Sequence, residues 1–202
     1  MQPSVSACQH PVPDRDSETR HILSAAWWVL ERSRFRSLKV RQVLAESRTS
    51  ASNFYRRFPS KAHLLLALLE DEVQLVEQQL RERIDPDAPV AEQLRAWLHY
   101  NIGILYNQRR AQRTRLFLDP DLMDVLPDEV TALFNVGDRH LAEIVRRGIA
   151  TGDLRVADPE TAAMLVGQLI RGLLTSGGGL PEDRDELVRS VHGFVLRALD
   201  HR

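Results

Sequence analysis

Beyond residue 17, apolar side chains recur every three or four positions along most of the chain. Almost no segment shows the strict alternation of a half-buried strand, so the pattern predicts an all-α protein. Val40, Val43 and Leu44 fall at i, i+3 and i+4 and predict a short amphipathic helix over 39–47. Arg48-Thr49 breaks the pattern. Ser50 can cap a second short helix over 51–57, because its hydroxyl can accept a hydrogen bond from a free amide of the first turn. That helix buries Phe54 and carries Ser52, Asn53, Tyr55, Arg56 and Arg57 on its other faces. Pro59 stops it and Ser60 caps the next. Two short helices, a tight turn and a polar second helix make a helix-turn-helix, which lays its second helix in the DNA major groove.

The remaining pattern is also helical. A long helix over 60–84 carries Leu64, Leu65, Leu68, Leu69, Val73 and Leu80, and Asp85-Pro86-Asp87-Ala88-Pro89 ends it. A helix over 90–108 follows, with Leu94, Trp97, Leu98, Ile102 and Leu105. A shorter one covers 110–118 before Asp119-Pro120, and a single turn covers 122–126. The helix over 127–150 has Pro127 near its first turn and Gly152 past its end, the positions these residues favour. Two more helices are expected over 159–175 and 181–199. The first has an apolar stripe of Ala162, Leu165, Val166, Leu169 and Leu173; the second has Leu187, Val191, Phe194, Val195 and Ala198. Stripes this wide either pack inside one subunit or pair with a twin in a four-helix bundle. In the second case the dimer contacts are Leu165, Leu169, Leu173, Val191, Phe194, Val195 and Ala198. Gly177-Gly178-Gly179 joins the two helices; it lacks the Gly-Lys-Ser/Thr ending of a phosphate loop and is read as a flexible connector.

Charge sharpens the picture. Residues 20–61 hold ten Lys/Arg against two Asp/Glu, a net of +8 in a chain whose total is −1. A basic segment on a slightly acidic chain is the footprint of phosphate binding; the plainer alternative is a solvated basic face. With 202 residues and 43% apolar content, one or two domains with a sizeable core are expected. The single cysteine, Cys8, permits no internal disulfide and fits a reducing, cytoplasmic setting. No apolar run approaches the ~20 residues of a membrane span, so no membrane partner is expected. Residues 1–17 have no secretory pattern and read as a disordered tail. The seven histidines show no repeated metal-ligand spacing, so no metal is expected. No cofactor loop and no recognisable catalytic grouping appear, so neither a cofactor nor an enzyme activity is expected.

Three segments carry a family resemblance: RHILSAAWWVLERSRF, LKVRQVLAES and SASNFYRRFPSKAHLLLALLE. Together they resemble the amino-terminal domain of TetR-family transcriptional repressors, at Ile22, Ala25, Ala26, Val29, Leu30, Phe35, Val40, Arg41, Val43, Ser50, Tyr55, Phe58, Pro59, Ser60 and Lys61. The resemblance covers roughly residues 18 to 70; beyond that it is one of layout. This sequence departs from the family at several positions. The family usually has Gly at the places of Arg34 and Arg48. Arg48 therefore implies a different turn geometry or mild strain, since only Gly takes φ > 0 cheaply. Leu38 stands where the family often has a small residue, so the hydroxyl cap of the second helix is expected to be lost. Ser52 stands where Gly is common.

The resemblance implies a three-helix head over 18–62, a helical ligand-binding and dimerisation domain over 63–202, and a two-fold homodimer on a DNA operator. It implies that Tyr55, Arg57 and Lys61 grip phosphates. Arg41, Ala51, Ser52 and Asn53 are expected to face base edges, with Arg56 in either role. It also implies a small-molecule effector held among the middle helices. Asn101 interrupts the stripe of Leu94, Trp97, Leu98 and Leu105, and Trp97, Tyr100, Tyr106, Phe117 and Phe134 are candidates to line the same space. Asn101 is read either as a ligand contact or as a bridge inside a packed core. Trp28 falls where a polar residue is expected, with the tail, the long helix or DNA as its possible partner. The expected function is a ligand-responsive repressor, released from a palindromic operator by a mostly apolar ligand. The alternative is an all-helical enzyme or small-molecule carrier with an incidental basic head.

Overall fold

Helix boundaries in the computed structural model follow the capping chemistry of the sequence. The structure describes residues 16–32, 38–117, 120–175 and 179–200. The expectations for residues 1–15 with Cys8, for Arg34 and Phe35, and for Gly177 and Gly178 lie outside these residues. Among the described residues ten helices run in order: α1 (Ser17–Arg32), α2 (Val40–Ser47), α3 (Ala51–Arg57), α4 (Lys61–Arg83), α5 (Val90–Leu105), α6 (Gln108–Phe117), α7 (Pro120–Val125), α8 (Pro127–Thr151), α9 (Pro159–Thr175) and α10 (Arg184–Ala198). No strand occurs among the described residues.

Several ends differ from the expected ones for local reasons. Asp16 accepts the Thr19 amide at 2.6 Å, so α1 starts at Ser17, inside the stretch read as tail. Helix α5 stops at Leu105, and the Asn107 side chain accepts the Arg110 amide at 3.0 Å to start α6. Asp183 caps α10 through the Asp185 amide at 2.8 Å, so that helix starts later than 181. Gly152 ends α8 in the left-handed region at φ 79°.

The described residues bury two apolar clusters. One holds α1, Leu38, Val43, Phe54 and Phe58, with Leu64 to Leu69 of α4. It also takes in Phe117 of α6, Leu122, Leu126 and Val130. The other is built on α5, with Trp97, Leu98 and Ile102 packed against α8, α9 and α10. The first half of α4 therefore belongs to the head core, across the boundary drawn at residue 62.

The stripes of α9 and α10 divide. Helix α9 buries Ala162, Ala163, Val166, Gly167, Ile170 and Leu174 in its own subunit. Leu165 and Leu169 remain exposed, as does Met164, and Leu173 is half-buried against the subunit's own core. On α10, Val191 and Val195 are buried inside the subunit, at 9% and 0% exposure, while Phe194 is 56% exposed and Ala198 is exposed. Val191 and Val195 therefore do not offer a surface to a partner. An apolar stripe wider than one helix face mixed two faces at 100° per residue, and only the packing separates them.

Candidate functional site

The helix-turn-helix begins with a cap from the Gln42 side chain in place of a hydroxyl. The Lys39 amide donates to Oε1 of Gln42 at 3.1 Å, which replaces the cap that Leu38 removes. Helix α2 then ends at Arg48, whose backbone is left-handed at φ 49° and ψ 31°. The Thr49 amide returns to the Leu44 carbonyl at 3.2 Å. The turn thus keeps the geometry that Gly would give, with Arg48 carrying a cost of about 1–2 kcal/mol for a non-glycine residue there. Ser50 accepts the Asn53 amide at 3.2 Å and starts α3 as expected. Phe54 is fully buried and meets Phe58 and the edge of Tyr55. This anchors α3 by one face and leaves Ala51, Ser52, Tyr55 and Arg56 in solvent, with Arg41 exposed on α2.

Asn53 and Arg57 are placed otherwise. Asn53 donates to Glu18 and accepts from Arg56 and Arg57. Arg57 pairs with Glu18 at 2.5 Å and Asp16 at 3.1 Å, with its side chain only 16% exposed. Both therefore hold α3 to the start of α1 in this structure. This arrangement could not be read from spacing, because the partners lie 35 or more positions away. Hydrogen bonds from Thr19, ahead of that from Arg57, hold the Asp16 carboxyl at about 2.

Lys61 is half-buried in the first turn of α4, and burial lowers its pKa. A cation at a helix amino terminus opposes the helix dipole, and a bound anion there relieves it. Trp28 is 42% exposed and lies under the Arg32 guanidinium, 3.5 Å from the ring centre, beside Gln42, Ala45 and Glu46 of α2.

A second site lies in the helical body. A small cavity of about 80 Å³ opens among α4, α5, α6, α8 and α9. Trp97, Tyr100, Asn101, Phe117 and Phe134 line it, as the sequence suggested. Tyr106 does not; its hydroxyl donates to the Pro181 carbonyl at 2.7 Å and ties α5 to the segment before α10. Asn101 donates to the Trp97 carbonyl at 2.8 Å, one turn back on its own helix, so it does not bridge helices through its amide nitrogen. Trp97 donates to the Gly137 carbonyl at 3.0 Å, which fixes the indole across α5 and α8.

The charged wall was not legible in the sequence. Arg171 makes two bonds to Asp138, at 3.2 and 3.1 Å, and lies over Phe134. Gly167 makes room for this pair: a Cβ there would stand 2.1 Å from Oδ1 of Asp138. Glu72 faces the cavity from α4; burial raises its pKa against the pull of Arg113 and Arg110. The Tyr100 hydroxyl is buried without a well-formed hydrogen bond, and burial raises its pKa too. Arg110 stands beside it, 5.0 Å from the ring centre. These residues sit on five helices whose rotation and spacing no single periodicity encodes.

Cavity and head share α6. Phe117 lines the cavity and meets Trp27 of α1 edge to face at 5.6 Å. Arg109 and Arg113 both pair with Glu31 of α1, at 2.9 and 2.7 Å. Burial pushes the Glu31 carboxyl up, but the bonds from Arg109 and Arg113 outweigh it and hold the group below the usual carboxylate range. Gln112 also donates to the Glu31 carbonyl. Among the described residues no grouping of metal-binding side chains occurs, and no helix is long and apolar enough to cross a membrane.

Residues 22–68 match the family model for bacterial regulatory proteins of the tetR family. A sequence comparison with curated proteins gives no match. The fold is similar to that of several solved structures. The fatty acid degradation regulator FadR from Bacillus halodurans is 18% identical with a TM-score of 0.76, over 94% of this chain and 100% of that one. The transcriptional regulator FadR from Bacillus subtilis, in complex with stearoyl-CoA, is 18% identical with a TM-score of 0.73, over 88% and 97%. SmeT in its triclosan complex is 20% identical with a TM-score of 0.74, over 91% of each chain. At these identities the likeness establishes an all-α fold with a helix-turn-helix head and a helical body.

Proposed function

We infer that this chain, whose amino-terminal domain belongs to the tetR family of bacterial regulatory proteins, is a repressor that binds a palindromic operator as a homodimer and leaves it when a small, mostly apolar ligand fills the cavity. The observation that carries this reading is α6: the helix that walls the cavity is bonded to the helix that holds the reading head. The cavity wall is mostly apolar with a few polar groups, the lining that small-molecule sites have. FadR of Bacillus subtilis and SmeT hold small molecules in the same fold. In this reading residues 18–62 read DNA and 63–202 bind ligand and partner, with the first turns of α4 serving both.

On DNA, Arg41, Ala51, Ser52 and Arg56 face base edges or the adjoining backbone, and Tyr55 and Lys61 contact phosphates. Asn53 and Arg57 reach DNA only if their bonds to Glu18 open. Phosphate contacts give affinity without sequence information, whereas base contacts discriminate. Lys61→Ala is expected to weaken binding to every duplex alike and to flatten the salt dependence by about one ion per subunit. Arg41→Ala is expected to relax specificity, at a cost of roughly 1–3 kcal/mol for a bidentate base contact. Titration of an operator and a scrambled duplex at several salt concentrations checks both. A Lys61→Ala protein with wild-type affinity and salt slope removes the assignment.

The coupling is tested at Glu31. Glu31→Gln keeps the shape but weakens the pairs with Arg109 and Arg113. Partly exposed pairs contribute on the order of 1 kcal/mol or less, so melting should move little. The ligand-induced loss of operator affinity should shrink several-fold, because the ligand acts only through the difference between the two states. An unchanged induction curve in Glu31→Gln would place the coupling elsewhere.

A further inference from the structure

The cavity adjoins a second, open pocket that shares Tyr100 and Arg110 with it. That pocket is lined by Arg83, Arg110, Arg184 and His99, and by no carboxylate. Arg184 and His99 approach Asp185, at 3.3 and 3.8 Å, so their charge is partly met. Among the described residues no carboxylate lies within ion-pair distance of Arg83 or Arg110, although Glu72 acts on Arg110 across the cavity and Arg83 donates to the Gln79 carbonyl at 3.0 Å. Their guanidinium centres lie 5.5 and 5.0 Å from the centre of the Tyr100 ring. Tyr100 itself is 3% exposed, and its hydroxyl makes no well-formed hydrogen bond; Arg110 beside it can only donate, so the hydroxyl proton has no acceptor. A buried hydroxyl without a hydrogen bond costs free energy, and a ligand acceptor placed there recovers it.

Apart from Glu72, the rest of the cavity is apolar or internally paired. Trp97, Ile104, Phe117, Phe134, Ile170 and Leu174 supply its hydrocarbon wall, and Asp138 with Arg171 form a closed pair. The site thus has an apolar interior and a cationic mouth, with one unsatisfied donor where they meet. We propose that its ligand is an amphipathic anion: a hydrocarbon body in the cavity, and a carboxylate or phosphate head between Arg83 and Arg110 that accepts from the Tyr100 hydroxyl. This rests on the cavity being the effector site. Glu72 sets the rival chemistry, since its carboxyl faces the same cavity and would draw a cation.

Four probes of equal chain length decide between them: dodecanoate, dodecyl phosphate, dodecanol and dodecylamine. Each is titrated into the full chain below its micelle concentration, with calorimetry and tryptophan fluorescence as readouts. At least one anion is expected to bind about tenfold or more tighter than dodecanol, the usual advantage of a charge-assisted bond. Dodecylamine is expected to bind most weakly. Preference for dodecanoate identifies a free acid, and preference for dodecyl phosphate identifies a phosphate-bearing conjugate. Arg110→Gln and the surface change Arg83→Gln should each lower anion affinity toward the dodecanol level and leave dodecanol unchanged. Tyr100→Phe should do the same to a smaller degree. Equal affinity for dodecanol and both anions, tightest binding of dodecylamine, or an anion preference that survives both arginine changes overturns the proposal. Arginine-dependent anion binding that leaves a protein–operator complex intact sustains the ligand class and rejects the effector reading. Release of the operator by dodecanol as effectively as by the anions does the reverse.

Discussion

Phe194→Glu is expected to give a folded protein that sediments as a monomer, and Val195→Arg, one position along, a protein that does not fold. Phe194 is 56% exposed and Val195 is 0% exposed, so adjacent residues of α10 face opposite environments. Large apolar groups left in solvent on α9 and α10, with Leu165 60% exposed, form the surface on which the proposed dimer would rest. A carboxylate in that surface costs nothing in the monomer but is desolvated without a partner in the dimer. Two reading heads joined in one particle bind far more tightly than either alone, by on the order of 10²–10⁴ when the geometry fits. Operator affinity in Phe194→Glu should therefore fall by at least ~100-fold. Sedimentation velocity, circular dichroism and operator titration give the three readouts. A Phe194→Glu protein that stays dimeric with wild-type operator affinity removes this surface as the interface. A folded, monomeric Val195→Arg protein would instead put Val195 at the interface.

That contrast also shows what a sequence can and cannot carry. The turn chemistry around Ser50, Pro59 and Ser60 is local, and each cap or stop appears in the structure where the residues place it. Part of the cavity wall was legible because Trp97, Tyr100 and Asn101 share a helix and Asn101 interrupts its apolar stripe. Tyr106 was assigned to the same wall, but its direction depends on where α5 unwinds, which spacing does not encode. The charged groups of the cavity, Glu72, Arg110, Asp138 and Arg171, each look like solvated surface in their own helix. They become a site only when four helices converge. The Glu18 bonds to Asn53 and Arg57 are hidden for the same reason, since a long-range ion pair leaves no mark on local periodicity.

Phe117 is where the two cores meet, and its replacement separates stability from signalling. Its ring is 4% exposed, walls the cavity and packs edge to face on Trp27. Phe117→Ala removes a buried ring from both sides at once, which typically costs about 3–5 kcal/mol. For a chain of this size each kcal/mol lowers Tm by roughly 2–4 °C, so a fall on the order of 6–20 °C is expected. Phe117→Leu is the informative partner. It keeps much of the volume and loses the aromatic contact, so the stability loss should be smaller and DNA binding should persist. Ligand should still bind, because the rest of the wall is intact. What should fail is release: a ligand moves the equilibrium only through a difference in affinity between two states, and in the proposed coupling that difference passes through the ring in contact with Trp27. In Phe117→Leu the operator affinity measured with saturating ligand should approach the value without it. Full ligand-induced release in a folded Phe117→Leu protein would show that the Glu31 bonds to α6 suffice and that the ring serves packing alone.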